Sequence, residues 1–426
     1  MAPTWPGLVI LLQLFIVQVK LCEIPPGNTR LIQSLNLKLL RATLDTSNIA
    51  NPSVYVGLRL SEAHHLQTEV NYLQKLKVSM QTLASSANKE EASTGILALH
   101  LLALKASCEN MDTPESKKLI TNLKLQLHEE KRELVMKQRL KSNYYQYSLG
   151  VLALCVNKKK VDKHIINKLL DAEEHNKFDH GESISIDTEA MAGLAFLCLK
   201  RSDEYPTDLK RHLGKAIESV KQKILDEKST DGLYGNIYST PLAVQFLSVM
   251  GIKHTQACSK TIDSLLEAIK QGKFANPMMM SQLMPVLHHK SYLDVEKVDC
   301  TSKTDNTLLN PSSVLPAVST GEDLLKVQLV VEATPGQAIT HDIYVPSRSS
   351  LLDVLQKEKN QNPNFKFETK DSLYGPYLSS VNGVAASLEE RTYWQLLKHP
   401  NISLVEGIAD YRPEDGERIL LRLSKW

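Results

Sequence analysis

One apolar helical phrase recurs along the chain, and it limits the fold more than any other feature. It reads GILALHLLAL from Gly95, GVLALCV from Gly150, GLAFLCL from Gly193, LAVQFLSV from Leu242 and, in weaker form, LMPVLHH from Leu283, with an earlier copy starting at Val54 as VYVGLRL. The copies are followed by charged amphipathic segments, among them Ser116 to Arg132, Lys160 to Glu173, Leu209 to Glu227 and Ser259 to Lys270. A helix that is apolar all round belongs inside and an amphipathic one outside. Two helices per unit over about six units predict a helical repeat, and six hairpins favour closure into an α/α toroid.

Parallel inner helices in a ring open their N-termini at one rim. The polar residues at the heads of the apolar runs then converge there: Tyr144, Tyr145 and Gln146; Asp187; Asn236 and Ser239; Ser281 and Gln282. Any one of them reads as a cap or turn residue, but recurrence at one end of several repeats predicts a shared site. Asp187 or Thr188 is read as the cap of the helix that runs to Arg201, and the charged loop ahead of it carries His175 and His180. A lone loop histidine is ordinarily solvated. Cys155 lies five residues after Gly150 and Cys198 five after Gly193, so neighbouring inner helices present them at one height, and they form the first predicted disulfide.

The 426 residues exceed one ordinary core, which points to a large helical domain with a smaller partner. With 50 Lys and Arg against 48 Asp and Glu, the overall field implies no nucleic acid. The apolar run GLVILLQLFIV at 7–17 is too short for a span and stands where a secretory signal would, so residues 1–19 are read as a signal and the chain as exported and not membrane-inserted. Six cysteines in an exported chain then predict three disulfides, and Asn401-Ile402-Ser403 is a glycan acceptor. The toroid is assigned to 20–300, a Pro/Ser/Thr-rich linker to 301–323, and a small α+β domain to 324–426. In that domain, strands are expected from Leu325 and Ala338 around the turn Pro335-Gly336, then a helix from Ser349 to Lys357, then strands near 365, 376, 392 and 418. Tyr374, Tyr377, Tyr393 and Trp394 concentrate there in a chain that is 6% aromatic.

Catalysis finds little footing. No G-x-S-x-G, H-E-x-x-H or P-loop is present, and the acidic runs Asp171 to Glu174 and Glu389-Glu390 read as solvated faces. His64-His65 and His288-His289 border helices and read as packing residues, with no zinc-site spacing around them. Neutral hydrogen-bonding groups at a rim, facing an aromatic wall on a second domain, describe a binding cleft.

CEIP at 22, PSVYVGLRL at 52, YYQYSLGVLALC at 144, IDTEAMAGLAFLCLKR at 186, YGNIYSTPLAVQFL at 234, SQLMPVLHHKSY at 281, SLYGPYLSSVNG at 372, YWQLL at 393 and GIADYRPEDGE at 407 together resemble the vitamin B12 (cobalamin) carrier family of transcobalamin, intrinsic factor and haptocorrin, in detail most like the transcobalamin branch. The resemblance implies a secreted, non-enzymatic carrier with cobalamin held between the two domains and passed to a cell-surface uptake receptor. On matching positions, Ser142, Tyr145, Gln146, Asp187, Asn236, Ser239 and Gln282 would hydrogen-bond the ligand, while Tyr377, Trp394, Gln395 and Leu396 would cover its other side. It further implies disulfides Cys22–Cys258, Cys108–Cys300 and Cys155–Cys198, and His180 as the axial cobalt ligand with His175 as substitute. GESIS makes the loop ahead of Asp187 longer than the family pattern. The chain is expected to act as a monomer. The alternative is a secreted toroid enzyme acting on glycans or isoprenoids, which requires clustered carboxylates where only Asp187 stands; a complement-like thioester domain would need a Gly-Cys-Gly-Glu sequence that is absent.

Overall fold

The computed structural model describes residues 24–44, 50–62, 64–85, 93–179, 184–251, 255–300, 324–372, 375–387 and 390–425. Among the described residues, the helical part consists of six hairpins: α1 (Thr29–Ala42) with α2 (Pro52–Leu60), α3 (Leu66–Ser85) with α4 (Thr94–Ala106), α5 (Pro114–Lys137) with α6 (Tyr144–Val156), α7 (Lys163–Glu174) with α8 (Ile186–Arg201), α9 (Thr207–Asp226) with α10 (Thr240–Val249), and α11 (Thr255–Lys270) with α12 (Pro277–Leu287). The even-numbered helices touch in the order α2, α4, α6, α8, α10, α12, and α12 returns to α2, closing a ring. Burial follows from composition. In α4, Leu97, Ala98, Leu99, Leu101, Leu102 and Ala103 are all buried, whereas α9 buries only the stripe Leu209, Leu213, Ala216, Ile217, Val220 and Ile224.

Four inner helices start on a side chain that accepts a free backbone N–H. Asn51 takes that of Ser53, Ser93 that of Ile96, Asn143 that of Gln146 and Asn276 that of Met278, each worth about 1 kcal/mol. The head of α8 differs from the expectation, since Ser185 and not Asp187 or Thr188 holds the cap position. Its hydroxyl pairs with that of Thr188 at 2.9 Å, and Asp187 lies inside the first turn.

Two glycines let inner helices approach closely. A Cβ on Gly193 of α8 would lie 2.5 Å from a ring carbon of Phe246 on α10, and one on Gly57 of α2 would lie 2.7 Å from the Cα of Ser281 on α12. Cys155–Cys198 bridges α6 and α8 with Cα atoms 6.1 Å apart, and Cys108–Cys300 ties the end of α4 to the chain 192 residues later. Cys22 and the side chain of Cys258 lie outside the described residues.

The C-terminal part has its own core. A five-stranded sheet runs in the order β2 (Gln337–Pro346), β1 (Leu324–Thr334), β8 (Arg418–Lys425), β6 (Thr392–Lys398), β7 (Ile402–Ser403), with β1 and β8 parallel and the other pairs antiparallel. A second sheet joins β3 (Phe367–Ser372), β4 (Gly375–Val381) and β5 (Val384–Ala385). Val327, Leu329, Ile343 and Leu421 pack with Val354 and Leu355 of α13 (Leu351–Gln361). This helix starts two residues later and ends four later than expected, because Ser350 and Asp353 form a reciprocal capping box that sets its first turn.

At the ring end away from the inner-helix N-termini, His288 caps α12 beside Asn36 of α1, 3.2 Å from its Nδ2. Burial, with Lys290, His289 and His64 adding to it and Glu62 opposing, lowers His288 from 6.5 to about 4. Between pH 6.5 and 4 the unfolded chain therefore binds a proton that the folded chain refuses, so stability falls as pH drops through this window. His288→Gln should recover about 2 kcal/mol of the loss between pH 7 and 4.5. Urea unfolding at the two pH values checks this, and an unchanged slope in the variant would count against it.

Candidate functional site

Each inner helix is followed by an outer one that runs back, so the six inner N-termini share a rim. Tyr145 of α6 and Gln282 of α12 meet there, with Gln282 Nε2 donating to the Tyr145 hydroxyl at 3.5 Å. Two staves separate α6 from α12 in either direction, so this contact crosses the ring. The backbone of Gln282 accepts from Gln245 Nε2 of α10 at 2.9 Å. Gln146 accepts from the backbone N–H of Gly95 through Oε1 at 3.1 Å, which leaves its amide N–H groups available.

Asn236 and Ser239 form one tight turn ahead of α10. Asn236 Oδ1 accepts the N–H groups of Tyr238 and Ser239, and the buried Ser239 hydroxyl donates to Tyr234 O at 2.6 Å. Ser142 is held through its backbone, which donates to both oxygens of Glu130. Glu130 also accepts from Lys141 N and from the Thr94 hydroxyl. This buried carboxylate of an outer helix thus organises the rim turns ahead of α4 and α6. Nothing in the sequence singles it out except its place among the charges of α5. Asp187 is partly exposed, and desolvation raises its carboxyl to about 6, so the rim holds a carboxyl poised between donor and acceptor near neutrality.

The acidic run at 171–174 is not wholly solvated, which corrects the expectation. Glu173 is 4% exposed, and with Glu189, 0% exposed, it converges on a single ammonium, that of Lys223 on α9. Lys223 Nζ lies 3.0 Å from Glu173 Oε1 and 3.2 Å from Glu189 Oε1, and donates to the Glu173 carbonyl at 3.1 Å. Burial of charge demands such a partner; a four-residue acidic run viewed as sequence does not show which member turns inward. Glu173 lies in the last turn of α7 and Glu189 in the first turn of α8, so one lysine ties both ends of the histidine loop. His180 lies outside the described residues. His175 follows α7, exposed, with Nδ1 donating to the Asp171 carbonyl at 2.8 Å. Among the described residues, no three His, Cys, Asp or Glu side chains gather as a metal cage.

In the C-terminal part Tyr377 on β4 is 47% exposed. Trp394 is 5% exposed in that part's own core, its indole N–H donating to Val384 O at 3.1 Å, and Leu396 packs at the edge of the same core. Gln395 accepts from the Ser424 hydroxyl at 2.8 Å. Asn401 is exposed, with Oδ1 accepting from Arg422, and Tyr374 lies outside the described residues. The two parts meet at the rim. Tyr238 donates to Glu406 Oε1 at 2.6 Å, Lys273 approaches the same oxygen at 3.5 Å, and Asn276 Nδ2 donates to Asp410 Oδ2 at 3.0 Å. The strand-rich part therefore sits over the rim that carries Asn236, Ser239 and Gln282.

A family model described as eukaryotic cobalamin-binding protein matches residues 4–320, and one described as a domain of unknown function (DUF4430) matches 349–425. The chain is 40% identical over 440 residues to transcobalamin-2 of Mus musculus, covering 99% of each chain, and 41% identical over 423 residues to transcobalamin-2 of Homo sapiens, covering 96% of each. It is 30% identical over 413 residues to the cobalamin binding intrinsic factor of Homo sapiens, covering 95% of this chain and 94% of that one. The crystal structure of haptocorrin in complex with Cbi superposes with a TM-score of 0.79 at 27% identity, over 95% of this chain and 100% of that one. A closed ring of six helical hairpins with a strand-rich part over its polar rim, matched along nearly its whole length, places this chain in the eukaryotic cobalamin-binding protein family.

Proposed function

We propose that the chain is an extracellular carrier that binds cobalamin between the ring's rim and the strand-rich domain and delivers it to an uptake receptor, with no reaction of its own. The carrying observation is the rim: Tyr145, Gln146, Asn236 and Gln282 supply neutral donors and acceptors, and a second domain stands over them. A corrin is a broad, mostly neutral ring fringed with amides, so such groups in a closed cleft suit it without paired charges. Ser142, Asp187 and Ser239 complete the rim set, and Tyr377, Trp394, Gln395 and Leu396 belong to the opposite wall. Residues 1–19 act as the export signal and 301–323 as the linker that lets the second domain close. Asn401 carries a glycan, Cys22 pairs with Cys258, and the carrier works as a monomer. No described helix is long and apolar enough to cross a membrane. The glycan or isoprenoid enzyme has no support among the relatives, which carry the names of cobalamin binders.

Incubated with hydroxocobalamin and passed through gel filtration, the protein should retain the red chromophore. A colourless protein peak would overturn the proposal. His180 is the proposed axial ligand, neutral imidazole being a good donor to such a metal. His180→Ala should change the visible spectrum of the bound aquocobalamin; an unchanged spectrum, with His175→Ala altering it instead, would move the ligand to His175.

A further inference from the structure

The contacts between the ring and the strand-rich domain have a use of their own. From the ring come Tyr238, ahead of α10, together with Lys273 and Asn276, ahead of α12; from the other domain come Glu406 and Asp410, in the turn between β7 and β8. These contacts gather on adjacent staves of one sector. They are well built. The Tyr238 ring rests edge-on against buried Phe274 at 5.8 Å, which aims its hydroxyl. Asn276 is buried and spends both ends of its amide, accepting from Met278 N through Oδ1 and donating to Asp410 through Nδ2. Glu406 is 13% exposed at its side chain. Gly375, which starts β4, closes on the same spot, since a Cβ there would sit 3.4 Å from both Asn276 Nδ2 and Met278 Cε. Burial raises the Asp410 carboxyl, with Glu406 adding and Asn276 opposing, as in a water-poor seam.

The contacts use residues distinct from the rim donors assigned to cobalamin. They share backbone with them, however. Asn236 holds the N–H groups of both Tyr238 and Ser239, and Asn276 caps the helix that carries Gln282. Building on the cobalamin reading, we propose that Tyr238–Glu406 and Asn276–Asp410 form a hinge about which the second domain closes on its cargo. The hinge keeps the covering wall at high effective concentration over the rim, as a short linker does for a second binding module. Its four residues are positioning residues, and they act on release more than on capture.

The test follows release of cyanocobalamin carrying radioactive cobalt, chased with unlabelled cyanocobalamin, from the full chain. Glu406→Leu should raise the dissociation rate about tenfold, the equivalent of one hydrogen bond to a charged group at about 1.4 kcal/mol, with the association rate changed far less and the urea midpoint of the helical signal as in the parent. Tyr238→Phe removes one oxygen without threatening the fold and should raise the dissociation rate several-fold. Glu406→Leu combined with Asn276→Ala should release faster than either alone, and its radius of gyration without ligand should increase in small-angle scattering. Dissociation at the parent rate in both Tyr238→Phe and Glu406→Leu would overturn the hinge. Failure of the parent protein itself to hold cobalamin would instead overturn the carrier reading, so the two failures are distinguishable.

Discussion

Gly57→Leu costs at least about 3 kcal/mol of stability, the upper end of what overpacking a rigid core commonly costs. The reason is what the new Cβ meets: Ser281 Cα at 2.7 Å, Cβ at 2.8 Å and the carbonyl oxygen at 2.9 Å. Two of these are backbone atoms of α12, so no rotamer change relieves the clash, and α2 and α12 must separate where the ring closes. Gly193 makes a shorter contact still, 2.5 Å, but against the side-chain ring of Phe246, which can tilt, so Gly193→Ala costs less than Gly57→Ala. Because Gln282 follows Ser281, the Gly57 variants should also lose cobalamin affinity. Urea unfolding followed by the helical circular dichroism signal reads the first effect and cobalamin titration the second. Gly27→Ala, where nothing lies within 4 Å, serves as the control. A Gly57→Leu protein as stable as that control would show that the ring does not close as described.

Lys223→Met is the second large loss, about 3–5 kcal/mol, the usual cost of removing one partner from a buried ionic group. It strands Glu173 and Glu189 together, and Glu189 Oε2 has no hydrogen-bond partner even with the lysine present. The pH dependence has a definite sign. Burial, offset in part by Lys223, raises Glu189 from 4.5 to about 7, so between these values the folded chain binds more protons than the unfolded one. The contribution of Glu189 to stability therefore falls as pH rises from about 4.5 to 7. Without the lysine the carboxyl is harder still to ionise, and the deficit of Lys223→Met should be larger at pH 8 than at pH 5. Denaturant titrations of both proteins at the two pH values measure it; an equal deficit at both would mean that Glu189 does not carry the charge. Lys223→Arg should restore part of the stability. Since the lysine holds both ends of the 175–185 loop, residues can be added between them at little cost, each doubling of loop length adding about 0.6 kcal/mol. The long GESIS segment is compatible with fixed loop ends for that reason.

The ring was legible because its signal is repeated and one-dimensional: an apolar run, a charged run, and the same again. The positions of the longer strands along the chain were legible for a similar reason, each being a short β-rich run between turn residues, whereas their order in two sheets was not. What escaped are features created only by the third dimension. Glu173 sits in a run of charges and looks solvated until α9 brings Lys223 alongside. Glu130 lies on a charged helix, and its burial against the turn at 141–142 follows from how α5 leans on α6. Ser185 displaced Asp187 as the α8 cap because local pairing with Thr188 settles which of several polar residues stands outside the helix. Tyr238 and Asp410 lay inside stretches that carried the family resemblance, YGNIYSTPLAVQFL and GIADYRPEDGE, yet no pattern in either stretch points to a partner roughly 170 or 130 residues away.

The contact between Tyr145 and Gln282 changes what the ring can receive. Because the two side chains span its diameter, the ligand-facing end is a floor and not the mouth of a bore. A flexible hydrocarbon needs a tunnel to thread into, whereas a rigid disc needs only a surface of matching breadth and a cover. In the carrier proposed above, a floored ring would turn the cargo outward, with one face toward the donors beneath and the other toward the second domain. On that proposal, discrimination among discs that differ on their upper face would fall to the second domain, and discrimination by outline to the rim.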